Sequence, residues 1–569
     1  MTKHTQIAVS ASPTIQFWSL LDHFVEKNKW APGAKDPAVT SPLRPRDPQP
    51  LNPGVAGPSF LTKDDVKRDP TLQPMVTKFL DDTVKTYETW IDDQVTTKKK
   101  TAKEADELRR VVRSLKEIRF ALVDLTVDID APKFAGNEGK AAGATRDLTI
   151  EPSFGASLVK IVAMYAAYQL QYDINALAKN LKISLAAGDD AEKKKAELFQ
   201  AAWDMWAKTQ KDDTKAATED LPKSGPKLKV QGRLVKNARG GKIQLNYASW
   251  NEVTTWERKH TGAHAEGYEI VDGAPNLENI FEVVPGNPMT VKFKHDASHY
   301  PPDHEVPPAR EKGKPPPPPI SHPPPRLGEF GDPSGKPFYE RMFAMIDASN
   351  NITSGSCILD VGYLYIASAL MQSGLFAPDR GGGFWLSAPY PGVNHAVLWI
   401  ESPMPIHEDV PGRVNTSKHY QVASAVAGAS FMTLLAQNKL VSPHASEEMK
   451  FLMNKMKPGK ADDWSGSETY SPVLEGLGPA ASDNPDDTKI RKTVTKALSK
   501  LGLNGSKATR RISDSAYIER SAAGSGHHPT LLRYVISIVD LPPDQERMLG
   551  VLIKGLDECI QKTNGIKIS

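Results

Sequence analysis

The sequence predicts an α+β protein: an antiparallel sheet built from both chain ends, packed against a mostly helical domain and interrupted by a large insertion. Three observations predict it. A charged amphipathic helix leads straight into an apolar, strand-like run near residue 120; a long helix that is apolar almost all round follows; and three successive strand-like runs precede a closing amphipathic helix. With strands at both ends and helices between, one sheet must draw on both.

Residues 1–100 read as a proline-rich N-terminal extension with helices. Prolines recur from Pro32 to Pro58, and helical periodicity is confined to Ile15–Lys29 and Val76–Asp93. Residues 101–190 form the first part of the main domain. There Ala102–Lys116 sets Leu108, Val111, Val112 and Leu115 on one face, Arg119–Thr126 is a strand, KFAGNEGK is turn-rich, and Glu151–Leu170 opens the apolar helix. Residues 191–336 read as the insertion. Helical character runs to about Lys211; beyond it the composition turns polar and rich in glycine and proline, with short strands expected at Lys229–Leu234, Ile243–Tyr247, Glu269–Asp272 and Met289–Phe293. The run KPPPPPISHPPPR is extended polyproline, a spacer that cannot enter a core. Residues 337–569 complete the domain, with helices expected over Pro337–Ala348, Cys357–Met371, Tyr420–Leu440 and Ser446–Met456. Strands follow at Leu498–Leu503, Ile512–Arg520 and Leu532–Leu541, and a last helix opens after Pro542 and Pro543.

Composition removes several function classes. The 71 basic residues nearly match the 68 acidic ones, giving a net charge of +3, so no nucleic-acid partner or anionic surface is implied. Two cysteines, Cys357 and Cys559, each sit in an apolar stretch and are expected to be buried free thiols, because two cysteines build no disulfide framework. No run reaches the ~18 apolar residues of a membrane span. The N-terminal residues lack a basic-then-apolar secretory signal, which points to a cytoplasmic protein, or to a periplasmic or secreted one if the start is misassigned. No metal or cofactor is expected. His295, His299 and His304 are separated by prolines that prevent a common helix face, and His260 and His264 lack the intervening glutamate of a zinc protease motif. The oligomeric state is not legible.

One stretch carries chemistry. In EPSFGASLVKIVAMYAAYQL, Ser157 and Lys160 stand three residues apart at the head of the apolar helix, a spacing that sets both on one face. A lysine amine held against a serine hydroxyl in a dry setting is a base beside its nucleophile. A second copy of the spacing, Ser224 to Lys227, has proline beside it and no apolar helix. Two further motifs follow: Ser349-Asn350-Asn351 between two helices, and Lys500-Leu501-Gly502 on the first late strand.

In their order and contexts these three motifs resemble those of the serine β-lactamase and penicillin-binding protein superfamily, most closely the class A type, over roughly residues 102–185 and 337–565. The resemblance implies a bacterial β-lactamase/transpeptidase-like serine hydrolase working through an acyl-enzyme on an amide or ester, whether a β-lactam, a peptide or a small ester. Ser157 would be the nucleophile and Lys160 its base. Ser349 would relay a proton to the leaving group, Asn351 would bind the substrate amide, and Lys500 would supply positive potential. The backbone N–H groups of Ser157 and Leu503 would form the oxyanion hole, and Gly502 would keep the strand open to substrate. Leu501 stands where the family has a hydroxyl that binds the substrate carboxylate, with Arg510 or Arg511 the replacement anchor. Glu401, then Glu408, is the candidate for deacylation, although neither lies in the family's E-x-x-N pattern. Ser349 follows Ser157 by 192 residues, a long interval that accords with an insertion. The alternative is a catalytically inactive ligand-binding or scaffold protein on the same fold.

Overall fold

The computed structural model describes residues 68–141, 144–202, 227–230, 254–259, 268–272, 275–296, 335–362, 421–455, 471–478, 492–505, 509–522 and 530–566, with Ile490 and scattered positions between 365 and 386. Helices α1 (Leu72–Thr96) and α2 (Ala102–Arg113) come first. The start of α2 is fixed by a capping box, in which Thr101 accepts from Glu104 N and the Glu104 carboxylate accepts from Thr101 N. Strand β1 (Arg119–Asp124) is buried along its whole length, which explains its unbroken apolar character: Phe120 and Leu122 enter one core, Ala121 and Val123 the other. Strand β2 (Lys133–Gly136) lies within the stretch expected to be turn-rich; Phe134 and Ala135 are buried and pair it with β1. The two-residue strand β3 (Ser153–Phe154) leads into a 3₁₀ turn, Ala156–Val159, and then helix α3 (Lys160–Asn180).

Within the span read as an insertion, strands β4 (Phe281–Val284) and β5 (Thr290–Phe293) form a hairpin whose Phe281, Val291 and Phe293 join the core around α3. Leu198, Phe199 and Ala202 join the same core, so residues 191–202 and 275–296 are structural parts of the main body. The polyproline run and the expected strand Ile243–Tyr247 lie outside the described residues. Helices α4 (Phe338–Ile346) and α5 (Asn351–Val361) follow. Strand β6 (Gln421–Ala423) occupies the start of the expected Tyr420–Leu440 helix; the helix itself, α6 (Ala425–Ala436), begins only where Ser424 caps it by accepting from Ala427 N. Helices α7 (Pro443–Met453) and α8 (Pro472–Leu477) both carry proline at the first turn behind a serine cap.

The last elements are strands β7 (Val494–Asn504), β8 (Arg511–Ala522) and β9 (Thr530–Leu541) and helix α9 (Leu549–Thr563). They complete a five-stranded sheet in the order β7-β8-β9-β1-β2, in which β1 pairs antiparallel with β9 through Phe120↔Ile538 and Leu122↔Ile536. One face packs on α3, α6 and the other middle helices; the opposite face carries α1, α2, α8 and α9. Gly428 lets α6 lie directly on the sheet, since a Cβ there would strike the hydroxyls of Ser515 and Ser537. Cys357 and Cys559 are buried free thiols, and burial pushes both up to about 12.

Candidate active site

The site is assembled where the head of α3 meets the edge strand β7. Strand β3 pairs with β6 (Phe154↔Val422), Gly155 N donates to Gln421 O at 2.8 Å, and Ser513 Oγ donates to Phe154 O at 3.1 Å. These bonds anchor the turn that carries Ser157 to the sheet. Ala156, just before it, is held at φ +46°, a left-handed conformation that an L-residue adopts at a cost. Because the turn is 3₁₀, with three residues per turn, Ser157 and Lys160 project on the same side. Ser157 is half-buried and Lys160 fully buried.

Gly502 explains how closely strand and turn approach. A Cβ at Gly502 would lie 2.6 Å from Gly155 O, 2.6 Å from Leu158 N and 2.9 Å from Ser157 N, all backbone atoms that cannot step aside. The glycine is therefore required for β7 to pack on the Ser157 turn. Leu501, next to it, packs against the core on the opposite face of the sheet, and Leu503 is exposed.

The second motif reaches the same place. Ser349 has φ +56°, and Asn350 caps α5 by accepting from Ile352 N and Thr353 N. Asparagine and aspartate serve almost equally as N-caps, so the departure from S-D-N at this middle position keeps the cap. Lys160 Nζ donates to Ser349 O at 2.6 Å and to Asn351 Oδ1 at 2.8 Å, and lies 3.3 Å from Ser349 Oγ. Lys500 Nζ donates to Ser349 Oγ at 2.8 Å and to Leu501 O at 2.9 Å. The Ser349 hydroxyl thus sits between two buried lysines from two distant parts of the chain. Burial holds the Lys160 amine well below the ordinary lysine value. Burial first, and then the charges of Lys160 and Lys455, does the same to Lys500, against the opposing pull of Asp347 and Asp514.

Lys160, Ser349, Asn351 and Lys500 therefore form one hydrogen-bonded group, with Ser157 and Gly502 beside it. Arg510 is engaged elsewhere: its guanidinium pairs with Glu546. Arg511 lies 3.7 Å from Asp540. Glu401 and Glu408 lie outside the described residues, as do His260, His264, His299 and His304. Among the described residues no group of three histidine, cysteine or acidic side chains is placed to hold a metal, and no helix is long and apolar enough to cross a membrane. A cavity of about 400 Å³ lies further along α3, lined by Tyr168, Phe293, Tyr339 and Glu448, and contains none of the motif residues.

Sequence reasoning missed three charges near this group, Asp514 and Lys455 buried and Asp347 partly so. Asp514 on β8 accepts from Ser471 Oγ, Ser499 Oγ and Val473 N at 2.6, 2.8 and 3.1 Å, and burial raises its carboxyl above the usual range. Lys455, just past α7, pairs with Asp347, just past α4, at 3.2 Å. In the sequence Lys455 stands in LMNKMK and Asp347 in MIDAS, where nothing separates them from surface charges.

No protein-family model matches the chain, and no curated protein matches it. Solved structures similar to it are β-lactamases. They include the TLA-1 extended-spectrum β-lactamase (9% identity, 40% of this chain and 64% of that one, TM-score 0.24) and a β-lactamase from Sphaerobacter thermophilus (13%, 41% and 65%, 0.24). A class A β-lactamase from Bacteroides cellulosilyticus is also among them (12%, 41% and 68%, 0.25). The chain thus spans somewhat under two thirds of the first two.

Proposed function

We propose that the protein is a serine hydrolase that cleaves an amide or ester through an acyl-enzyme on Ser157. The observation that carries this reading is the Ser349 hydroxyl held between Lys160 and Lys500, each a buried amine with a depressed pKa. A lysine amine that sheds its proton more readily than usual is better suited to act as a general base. Ser349 O and Asn351 Oδ1 hold the Lys160 amine at 2.6 and 2.8 Å, and the 3₁₀ turn keeps it on the same side as Ser157, where it is placed to take the hydroxyl proton.

In the acylation step Ser157 Oγ attacks the substrate carbonyl carbon while its proton passes to Lys160. The backbone N–H groups of Ser157 and Leu503 hold the oxyanion. As the intermediate collapses, the bond to the leaving nitrogen or oxygen breaks and that atom takes a proton through Ser349, which Lys500 and Lys160 flank. Water then attacks the acyl-enzyme, with Glu401 the proposed base, and restores Ser157. With Leu501 turned to the opposite face and Arg510 paired to Glu546, a substrate without a carboxylate suits the site better than the carboxylate-bearing substrates of the family.

A fluorophosphonate or fluorescent penicillin tests the reading. Covalent labelling of wild type that is abolished in Ser157→Ala is expected, with the modified peptide mapping to residues 153–165 by mass spectrometry. Equal labelling of wild type and Ser157→Ala sinks the proposal. Turnover of nitrocefin, a D-Ala-D-Ala peptide and a p-nitrophenyl ester then separates the substrate classes; the ester is expected to turn over fastest.

A further inference from the structure

The Ser349 hydroxyl meets both lysines only if two segments far apart in the chain keep one register: the loop after α4, which carries Ser349, and strand β7, which carries Lys500. Lys455 touches both. Its backbone N–H donates to Ala497 O on β7 at 2.8 Å, and the neighbouring Asn454 forms a β-bridge with Leu498. Its side chain turns the other way, where Nζ donates to Asp347 O at 3.1 Å and to Asp347 Oδ1 at 3.2 Å, two residues before Ser349. The side chain is only 3% exposed. With Lys455 enclosed and Asp347 only partly exposed, the ion pair costs desolvation and adds little net stability, which makes a purely stabilising role a poor account of it. What the pair does accomplish is mechanical. It clamps a loop whose key residue is held in a left-handed conformation to the strand that must meet it.

We propose that Lys455 and Asp347 are a positioning pair that holds the Ser349 hydroxyl in place between Lys160 and Lys500. The inference rests on the serine hydrolase reading for its catalytic meaning, though not for its geometry. The pair also acts on Lys500 electrostatically. Lys500 is faced by Lys160 from α3, by Lys455 from the segment after α7, by Asp347 from the segment after α4 and by Asp514 from β8; the two lysines lower its pKa and the two aspartates raise it. Removing Lys455 therefore favours the protonated form of Lys500, and removing the Asp347 charge favours the neutral form.

The test compares wild type with Lys455→Met, Lys455→Arg and Asp347→Asn, each checked by thermal melting. The first readout is the Lys500 titration midpoint from lysine side-chain NMR between about pH 5 and pH 11. It is expected to move up in Lys455→Met, down in Asp347→Asn and to stay near wild type in Lys455→Arg. Loss of packing alone would not move the two variants in opposite directions. An unchanged midpoint in Lys455→Met, or shifts of the same sign in Lys455→Met and Asp347→Asn, overturns the proposal; should Lys455→Met not fold, the downward shift in Asp347→Asn decides. The second readout is the rate of Ser157 labelling by fluorophosphonate, expected to fall about tenfold or more in Lys455→Met and to recover in Lys455→Arg. Labelling of Lys455→Met at the wild-type rate also overturns it. If wild type itself fails to label at Ser157, the hydrolase reading falls and the titration alone decides the positioning role.

Discussion

Lys160 shows how a single side chain is tuned by its surroundings. Removed from water and facing three oxygens, its amine holds its proton less tightly than a surface lysine does. The unfolded chain then binds a proton that the folded chain lacks over the window between the depressed folded value and the ordinary 10.5, so this group makes stability rise with pH across that window. Cys357 and Cys559 work the other way at higher pH, since their folded thiols stay protonated up to about 12 while unfolded thiols ionise. As pH rises toward the ordinary lysine value, Lys160→Met is expected to gain less denaturant stability than wild type, the thiol contribution being common to both, and urea titrations at fixed pH check it; equal gains throughout would show that burial does not depress the Lys160 amine. Ser157, Lys160, Ser349 and Lys500 were singled out in the sequence by the order and contexts of three motifs, no one spacing sufficing, and the structure brings Lys160, Ser349 and Lys500 into one hydrogen-bonded group. Lys455, Asp347 and Asp514 were not, because a buried or partly buried charge is marked only by what folds around it.

At the level of elements, two contacts decide whether the site and its support hold together. The first is β7 against the Ser157 turn. Gly502→Ala forces a methyl onto Gly155 O and Leu158 N and is expected to cost about 1–3 kcal/mol, with a larger loss of Ser157 labelling than the melting shift alone would give. Wild-type labelling in Gly502→Ala would show that strand and turn part without consequence. The second is α9 against the sheet. Arg520 on β8 grips Asp557 on α9 through Nε at 2.7 Å and Nη2 at 2.5 Å, and Tyr534 on β9 donates to the same carboxylate at 2.7 Å. Asp557 is fully buried, so Asp557→Ala strands the Arg520 charge and is expected to cost about 3–5 kcal/mol in chemical denaturation, against about 1 kcal/mol if the pair were effectively solvated. The expected strand runs at 119–126, 498–503, 512–520 and 532–541 fall on β1, β7, β8 and β9 because alternating or continuous burial leaves a clear apolar pattern. Strand β6 was hidden because Gln421–Ala423 adjoins an apolar helix with no break in composition; Ser424 was the signal, a cap inside a run read as one helix. The β4–β5 hairpin was only half legible, since Met289–Phe293 looked like a strand but its place in the core around α3 depends on partners more than 100 residues away, as Val291 N to Asn175 Oδ1 shows.

Across the described residues, the sheet is the feature that joins the two cores, and it contains a seam between their first and last strands, β1 and β9. Thr126 Oγ1 donates to Arg533 O across a separation of 407 residues, and Asn564 Nδ2 donates to Asp124 Oδ2. Removing residues 530–569 deletes β9 and α9 together and leaves the buried residues of β1 without a neighbour on one side. Such a truncation is expected to lose its cooperative thermal transition in calorimetry; a sharp transition near the wild-type temperature would show that the remaining strands close without it.

That seam imposes an order on the making of the protein. A ribosome delivers β1 and its partner β2 long before β9 exists, at a pace of roughly 5–20 residues per second, so the other edge of β1 waits tens of seconds for closure. During that interval the residues of β1 lack the Val535, Ile536 and Ile538 neighbours that β9 later supplies. Helices α1 and α2, which come off the ribosome just before β1 and share a core with Phe120 and Leu122, are placed to shelter one of its faces until synthesis ends.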